Sequence, residues 1–250
     1  MKITVNHDFG RLAATVKGWG KQIPFATAVA LTRTAQRVKH AEEREMKDVF
    51  ERPTPYTLQS VFMKPATKAS QEAVVWLKDF AGKGTPASKF LLPQIKGGSR
   101  RPKRFEKALQ AVGAMPPDHR AVPGEGAKVD AFGNMDRGQI VQILSFFKAF
   151  PEMGYKANMS DKRRKQMARG TKSRQGFSYF VGRPGDRLPL GIWQRVSFAR
   201  GSAIKPVLIF VPSVTYNAAF DFVYVGKTVF NRHFHEEFRR ALDQAIRTAR

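Results

Sequence analysis

The chain is 250 residues long and carries 44 Lys and Arg against 20 Asp and Glu, a formal charge of +24 at neutral pH. A field of that sign attracts phosphate and acidic protein surfaces at long range. Cysteine is absent, which excludes disulfides, thiolate nucleophiles and every Cys-containing zinc pattern. With 42% hydrophobic residues and 20 Phe, the chain has the material for a core that a disordered basic tail lacks. The opening stretch, MKITVNHDFGRLAATVKGWGK, contains no apolar run of the roughly 7 to 15 residues typical of a signal peptide, and no uncharged run approaches the ~20 residues that cross a bilayer. Neither a signal peptide nor a membrane span is expected, and assembly in a reducing cytoplasm fits the composition. Domains commonly hold roughly 100 to 200 residues. No clean linker divides this chain, so one elaborated domain over 1–250 is expected.

In chain order, residues 24–50 follow Pro24, contain no further Gly or Pro, and place Ala28, Leu31, Ala35, Val38 and Val49 at helical spacing, which predicts one long amphipathic helix. Pro53 and Pro55 end it. Residues 58–78 hold two short runs rich in Val, Phe and Trp, which predict a hairpin. Over 82–136 Gly and Pro recur, and the segment reads as irregular apart from a short helix at Lys103 to Val112. A helix follows over 139–150, with Ile140, Ile143, Leu144 and Phe147 on one stripe. Residues 156–175 are basic and nearly free of large apolar groups, so an exposed, mobile loop or a frayed helix is expected there. The period then changes to two across 177–212, which predicts an antiparallel meander whose continuously apolar third run, Val207 to Val211, is its central strand. A second long helix over 227–249 carries Phe230, Phe234, Phe238, Ala241, Ala245 and Ala249 on one face. The expected fold class is α+β: long N-terminal and C-terminal amphipathic helices packed on the β-meander, with a long irregular Gly/Pro-rich middle.

Catalytic chemistry finds little support. His233, His235, Glu236 and Glu237 are metal-ligand types. Histidines two apart on a helix point to different faces, however, so a solvated face is expected instead. His7, His40 and His119 stand alone, and Asp118, Asp130 and Asp136 converge only if tertiary folding brings them together. The chain contains no phosphate-binding P-loop, nucleophile elbow or dinucleotide fingerprint. No catalytic, cofactor or metal residues are assigned. The positive charge is more informative. Lys96, Arg100, Arg101, Lys103, Arg104 and Lys107 form one basic segment, and Lys162, Arg163, Arg164, Lys165, Arg169, Lys172 and Arg174 form another. Together, residues 94–107 and 161–177 supply eleven of the net 24 positive charges. Both lie beside Gly or Ser, where backbone approaches a phosphate closely and Arg grips it bidentately. No helix-turn-helix, zinc finger or RNA-binding aromatic signature accompanies them, so contact with a polyanion is expected to ignore base sequence.

The order and texture of several segments carry a resemblance. The helix opening Ile23-Pro-Phe-Ala-Thr-Ala-Val-Ala-Leu-Thr-Arg-Thr-Ala, its exit through Arg52-Pro-Thr-Pro-Tyr-Thr-Leu, the basic Gly-rich middle, and the strand-then-helix ending from Ile204-Lys-Pro-Val to Ala249 resemble tailed-phage minor tail proteins of the lambda-type protein Z group. This chain is longer than that group through residues 82–160. The resemblance implies a structural virion protein of the neck or tail, in tail completion or head-to-tail joining, assembled in the host cytoplasm and without cofactors. It implies as partners a portal or adaptor, a tail terminator or a tail tube, the end of the packaged double-stranded DNA, and further copies of the chain in a homo-oligomeric ring. Two other classes remain open at this point: a sequence-independent DNA-binding protein of another system, and a nuclease-like enzyme with a dispersed metal site.

Overall fold

The computed structural model describes residues 2–5, 20, 22–82, 84–151, 157–198, 200–212 and 215–248. His7, Lys156 and Ala249 lie outside the described residues. The main elements are β1 (Lys2–Val5), α1 (Ile23–Val49), β2 (Val61–Lys64), β3 (Ala73–Leu77), α2 (Arg104–Ala111), β4 (His119–Pro123), α3 (Arg137–Phe146), α4 (Asp161–Arg169), β5 (Phe177–Gly182), β6 (Gly191–Phe198), β7 (Gly201–Pro212) and α5 (Phe222–Arg247). The fold class is α+β, with a long helix toward each end. Among the described residues no helix is long and apolar enough to cross a membrane.

Where one domain was expected, the chain divides into two compact units, Met1–Gly98 with Tyr216–Arg250, and Ser99–Thr215. Each has its own hydrophobic core. The first unit pairs α1 with α5 over a three-stranded antiparallel sheet of order β1-β3-β2. Helix α1 opens at Pro24 in its first turn and stops at Phe50, whose backbone turns extended just ahead of the two prolines. Helix α5 begins five residues before its expected start, because the Asp221 carboxylate accepts the Tyr224 N–H (2.9 Å) and caps it. Ala73, Val75 and Leu77 of β3 join Leu31, Val38, Phe222 and Phe234 in the core. The long helices therefore share a core with this N-terminal sheet, while the meander they were expected to cover belongs to the second unit.

In that second unit the meander β5-β6-β7 forms as expected, with Tyr179 opposite Gln194 and Lys205 opposite Gln194 in register. Strand β4, from the segment read as irregular, adds to it and gives the order β4-β7-β6-β5. Strand β7 is thus interior, as its continuous apolar run predicts. Helices α2 and α3 contribute Leu109, Ile143 and Leu144 to the core beneath Tyr179, Ile192, Leu208 and Phe210. The rest of the Gly-rich stretch is tied by side chains. Asp130 Oδ1 accepts the N–H groups of Phe132 and Asn134, and the Gln139 amide accepts from Lys128 N and donates to the Gly126 carbonyl. In the basic segment where a mobile loop or a frayed helix was expected, α4 forms and is followed by a short hairpin pairing residues 170–171 with 174–175.

One buried group in the first unit conflicts with its surroundings. Glu42 on α1 has no exposed surface, and neither carboxylate oxygen has a hydrogen-bond partner among the described residues. Burial first, then the nearby carboxylates of Glu45 and Asp221, push its pKa up to about 9. The folded state therefore holds a proton that the unfolded chain releases above about pH 4.5. This group's contribution to stability is fully present below that pH and is lost as pH rises toward 9. Glu42→Met, of similar shape and without the orphaned oxygens, is expected to raise unfolding free energy at pH 8 by ~1–3 kcal/mol and to flatten its decline between pH 5 and 9. Urea titrations of both proteins at several pH values test this.

Candidate functional site

The first basic segment divides between the two units. Lys96 is exposed at the end of a helical turn over residues 92–96 in the first. Arg100, Arg101, Lys103, Arg104 and Lys107 lie in the second. Arg100 is not available to a partner. Its Nη1 donates to Glu106 Oε2 (2.8 Å), its Nη2 to Glu106 Oε1 (2.5 Å), and Nη2 also reaches the Ala121 carbonyl (3.3 Å). Glu106 is fully buried and accepts further hydrogen bonds from the backbone N–H of Lys103 and Ala121. Burial by itself raises the pKa of this carboxyl, but the hydrogen bonds from Arg100, Ala121 and Lys103, with the Arg100 charge, outweigh it and hold the group below the usual carboxylate range. Arg101, Lys103, Arg104 and Lys107 remain exposed around the start of α2, whose inward side carries Phe105 and Leu109.

The second basic segment is organised around α4. Ser160 caps it by accepting the Arg163 N–H (3.3 Å), and Asp161 follows in the first turn, where a negative charge complements the helix dipole. Asp161 also draws Lys148 (3.3 Å) and Arg164 (3.5 Å). Arg164 is further committed to the ring of Phe146, with its guanidinium carbon 5.0 Å from the centroid. Met159 is buried and Met167 packs against the core. These inward contacts are why a segment so poor in apolar residues orders. Lys162, Arg163, Lys165, Arg169, Lys172 and Arg174 are exposed, and none makes an ion pair with an acid among the described residues.

Helix α4 ends at Gly170 (φ 75°), and the chain turns at once into the short hairpin. Gly170 and Gly176 meet backbone to backbone: a Cβ on Gly176 would overlap the Ala168 carbonyl oxygen, and one on Gly170 would overlap Gly176 N. This contact seats the hairpin on the end of the helix and brings Arg174 back beside Arg163. The two arginines line a cleft of about 270 Å³ together with Thr171, Gln142, Gln166 and Phe177. No acidic side chain lines it. Two guanidinium groups, a hydroxyl and side-chain amides around an apolar floor suit a phosphate carried on a larger group. Nothing in the cleft supplies a general base. The repeated Gly flanking Thr-Lys-Ser-Arg-Gln is the turn signal that marks this hairpin in the sequence, but the partners Gln142 and Gln166 leave no such trace.

Other chemistry-bearing residues have structural roles. Glu237 is buried rather than solvated: it accepts from Arg37 (2.7 Å and 2.9 Å) and so ties α5 to α1, while its neighbour Glu236 pairs with Arg240. Asp136 caps α3 by accepting the Gln139 N–H (2.8 Å), Asp130 closes its own loop, and Asp118 pairs with His119 (2.8 Å). These three acids are each used locally. Among the described residues no group of three or more His, Asp or Glu is placed to hold a metal ion. Compared with known protein-family models, curated proteins and solved structures, the chain matches none.

Arg100→Ala is expected to cost ~3–5 kcal/mol of unfolding free energy, because it strands a buried carboxylate. Arg101→Ala and Arg104→Ala, at exposed positions, are expected to stay within about 0.5 kcal/mol of the parent. Chemical denaturation of the three variants separates the structural arginine from its neighbours.

Proposed function

We propose that this protein is a non-enzymatic structural component of a tailed-phage neck or tail, and that its α4 end grips a polyanion. The carrying observation is the cleft in which Arg163 and Arg174 converge, surrounded by four further exposed cations that meet no acid among the described residues. In a neck or tail that polyanion is the backbone of the genome's end, and an acidic face of a neighbouring ring subunit presents related chemistry. The second unit carries 22 Lys and Arg against 8 Asp and Glu, so a bound polyanion relieves repulsion as well as forming contacts. The phage setting is supported by the resemblance in the order of the segments.

Binding to a mixed-sequence duplex of 30 base pairs is expected to weaken steeply as salt rises and to vary little with base sequence. Neutralising Arg163 and Arg174 together is expected to lower the slope of log affinity against log salt by about 2, one for each lost phosphate contact. Arg164 is excluded from the substitution because its packing on Phe146 confounds stability with binding. An unchanged slope rejects the cleft as the contact. Nicking of supercoiled plasmid that requires Mg²⁺ and survives rigorous purification overturns the non-enzymatic reading.

A further inference from the structure

The Arg163–Arg174 cleft is built in more detail than a grip on any polyanion requires. Four elements line it: α3 supplies Gln142, α4 supplies Arg163, the following hairpin supplies Thr171 and Arg174, and β5 supplies Phe177. Its volume of about 270 Å³ lies just under the ~300–1,000 Å³ of sites that take a drug-sized ligand. That is room for one phosphate with its sugar, and none for a duplex.

The polar groups of the cleft are set as donors. Gln142 is half-buried, and its amide oxygen accepts the Tyr179 hydroxyl (2.9 Å). Tyr179 is only 4% exposed, and burial pushes its pKa up to about 12, so at neutral pH the hydroxyl keeps its proton and donates it to Gln142. With that oxygen engaged, the amide NH2 is what Gln142 has left to offer a ligand. Thr171 Oγ1 accepts the Arg174 N–H (3.1 Å), which leaves its own hydroxyl proton for Ser173 (3.3 Å) or a ligand. Among the described residues no acid and no histidine lines the cleft.

Acceptor count decides between ligands for such a site. Two bidentate guanidinium groups engage both free oxygens of a phosphodiester. The Gln142 amide and the Thr171 hydroxyl then need a further oxygen. A phosphomonoester has three terminal oxygens and carries about −1.5 to −2 charge at neutral pH, against about −1 for a diester. We propose that the cleft receives a terminal phosphate, the phosphomonoester at the end of a DNA strand. Arg163 and Arg174 grip its oxygens, Gln142 and Thr171 donate to the third, and Phe177 packs against the attached sugar. The inference rests on the reading of the protein as a polyanion binder and narrows that polyanion to a chain end.

The full chain is titrated with 30-base-pair duplexes of one sequence that end in a 5′-hydroxyl, a 5′-phosphate or a 3′-phosphate. A phosphorylated duplex is expected to bind about tenfold tighter than the hydroxyl duplex at pH 7.5. The ratio is expected to shrink as pH falls through about 6, where a phosphomonoester takes up its second proton and loses the dianion that the cleft favours. Gln142→Glu keeps an acceptor for Tyr179 but adds a carboxylate to the cleft, and is expected to bring the ratio close to 1. The Arg163/Arg174 double variant is expected to do the same, and urea titration confirms that both variants fold. Equal binding of the three duplexes by wild type, or a preference that survives the double variant, overturns the terminal phosphate. A salt slope still lowered by about 2 in the double variant then leaves the polyanion reading standing, whereas an unchanged slope removes both. Displacement of the phosphorylated duplex by a phosphoserine peptide as readily as by a 5′-phosphorylated dinucleotide overturns DNA as the source.

Discussion

With no surface of its own, the Glu106 carboxylate must satisfy its lone pairs inside the protein, and it does so by joining three separate pieces of chain. The Arg100 guanidinium caps it from one side, the Lys103 N–H closes the first turn of α2 onto it, and the Ala121 N–H brings in β4. An ionised carboxylate in such a place is tolerable only because charge and hydrogen bonds compensate its desolvation together. Much of the second unit follows from that constraint. It fixes where α2 begins, and it holds β4 where β7 can add it to the meander, even though the surrounding residues are rich in Gly and Pro.

The same constraint sorts the cations. Arg100 neutralises an internal acid, and Arg164 is consumed by Asp161 and the Phe146 ring. Their neighbours in sequence have no such obligation and remain at the surface. A basic run is thus two populations with different physics. Members anchored inward order the segment, and that order gives the outward members fixed positions from which to meet a ligand. The close approach of Gly170 and Gly176 does the same for the backbone, since only two residues without a Cβ allow the hairpin to fold against the end of α4. For the proposed phosphate contact, preplaced arginines carry less entropic cost than a mobile loop would incur.

The first unit is organised by apolar packing of α1, α5 and the N-terminal sheet, with the buried Glu237 tied to the exposed Arg37 across the two helices. Glu42 is the discordant element. A buried acid with no hydrogen-bond partner among the described residues is retained at a cost to stability, and it makes this unit sensitive to alkaline conditions that leave the Glu106 knot ionised and intact.

Much of the architecture was legible in the sequence because periodicity is a local property. Both long helices, the hairpin at 58–78, the meander and the interior position of its third strand follow from the spacing of apolar residues, and the two basic segments follow from counting charge. Three things were not local. The partition into two units depends on which sheet each helix covers, and no linker composition announces it. The conformation of residues 157–175 depends on Met167 finding the core and Arg164 finding Phe146, contacts invisible in a segment that looks too polar to fold. The distinction between Arg100 and Arg101, adjacent and chemically identical, depends wholly on a carboxylate six residues from Arg100 and a strand beyond it. Composition by itself determined the large excess of positive charge. Only the tertiary structure decided which cations stay at the surface, because some are drawn inward to satisfy the protein's own buried acids.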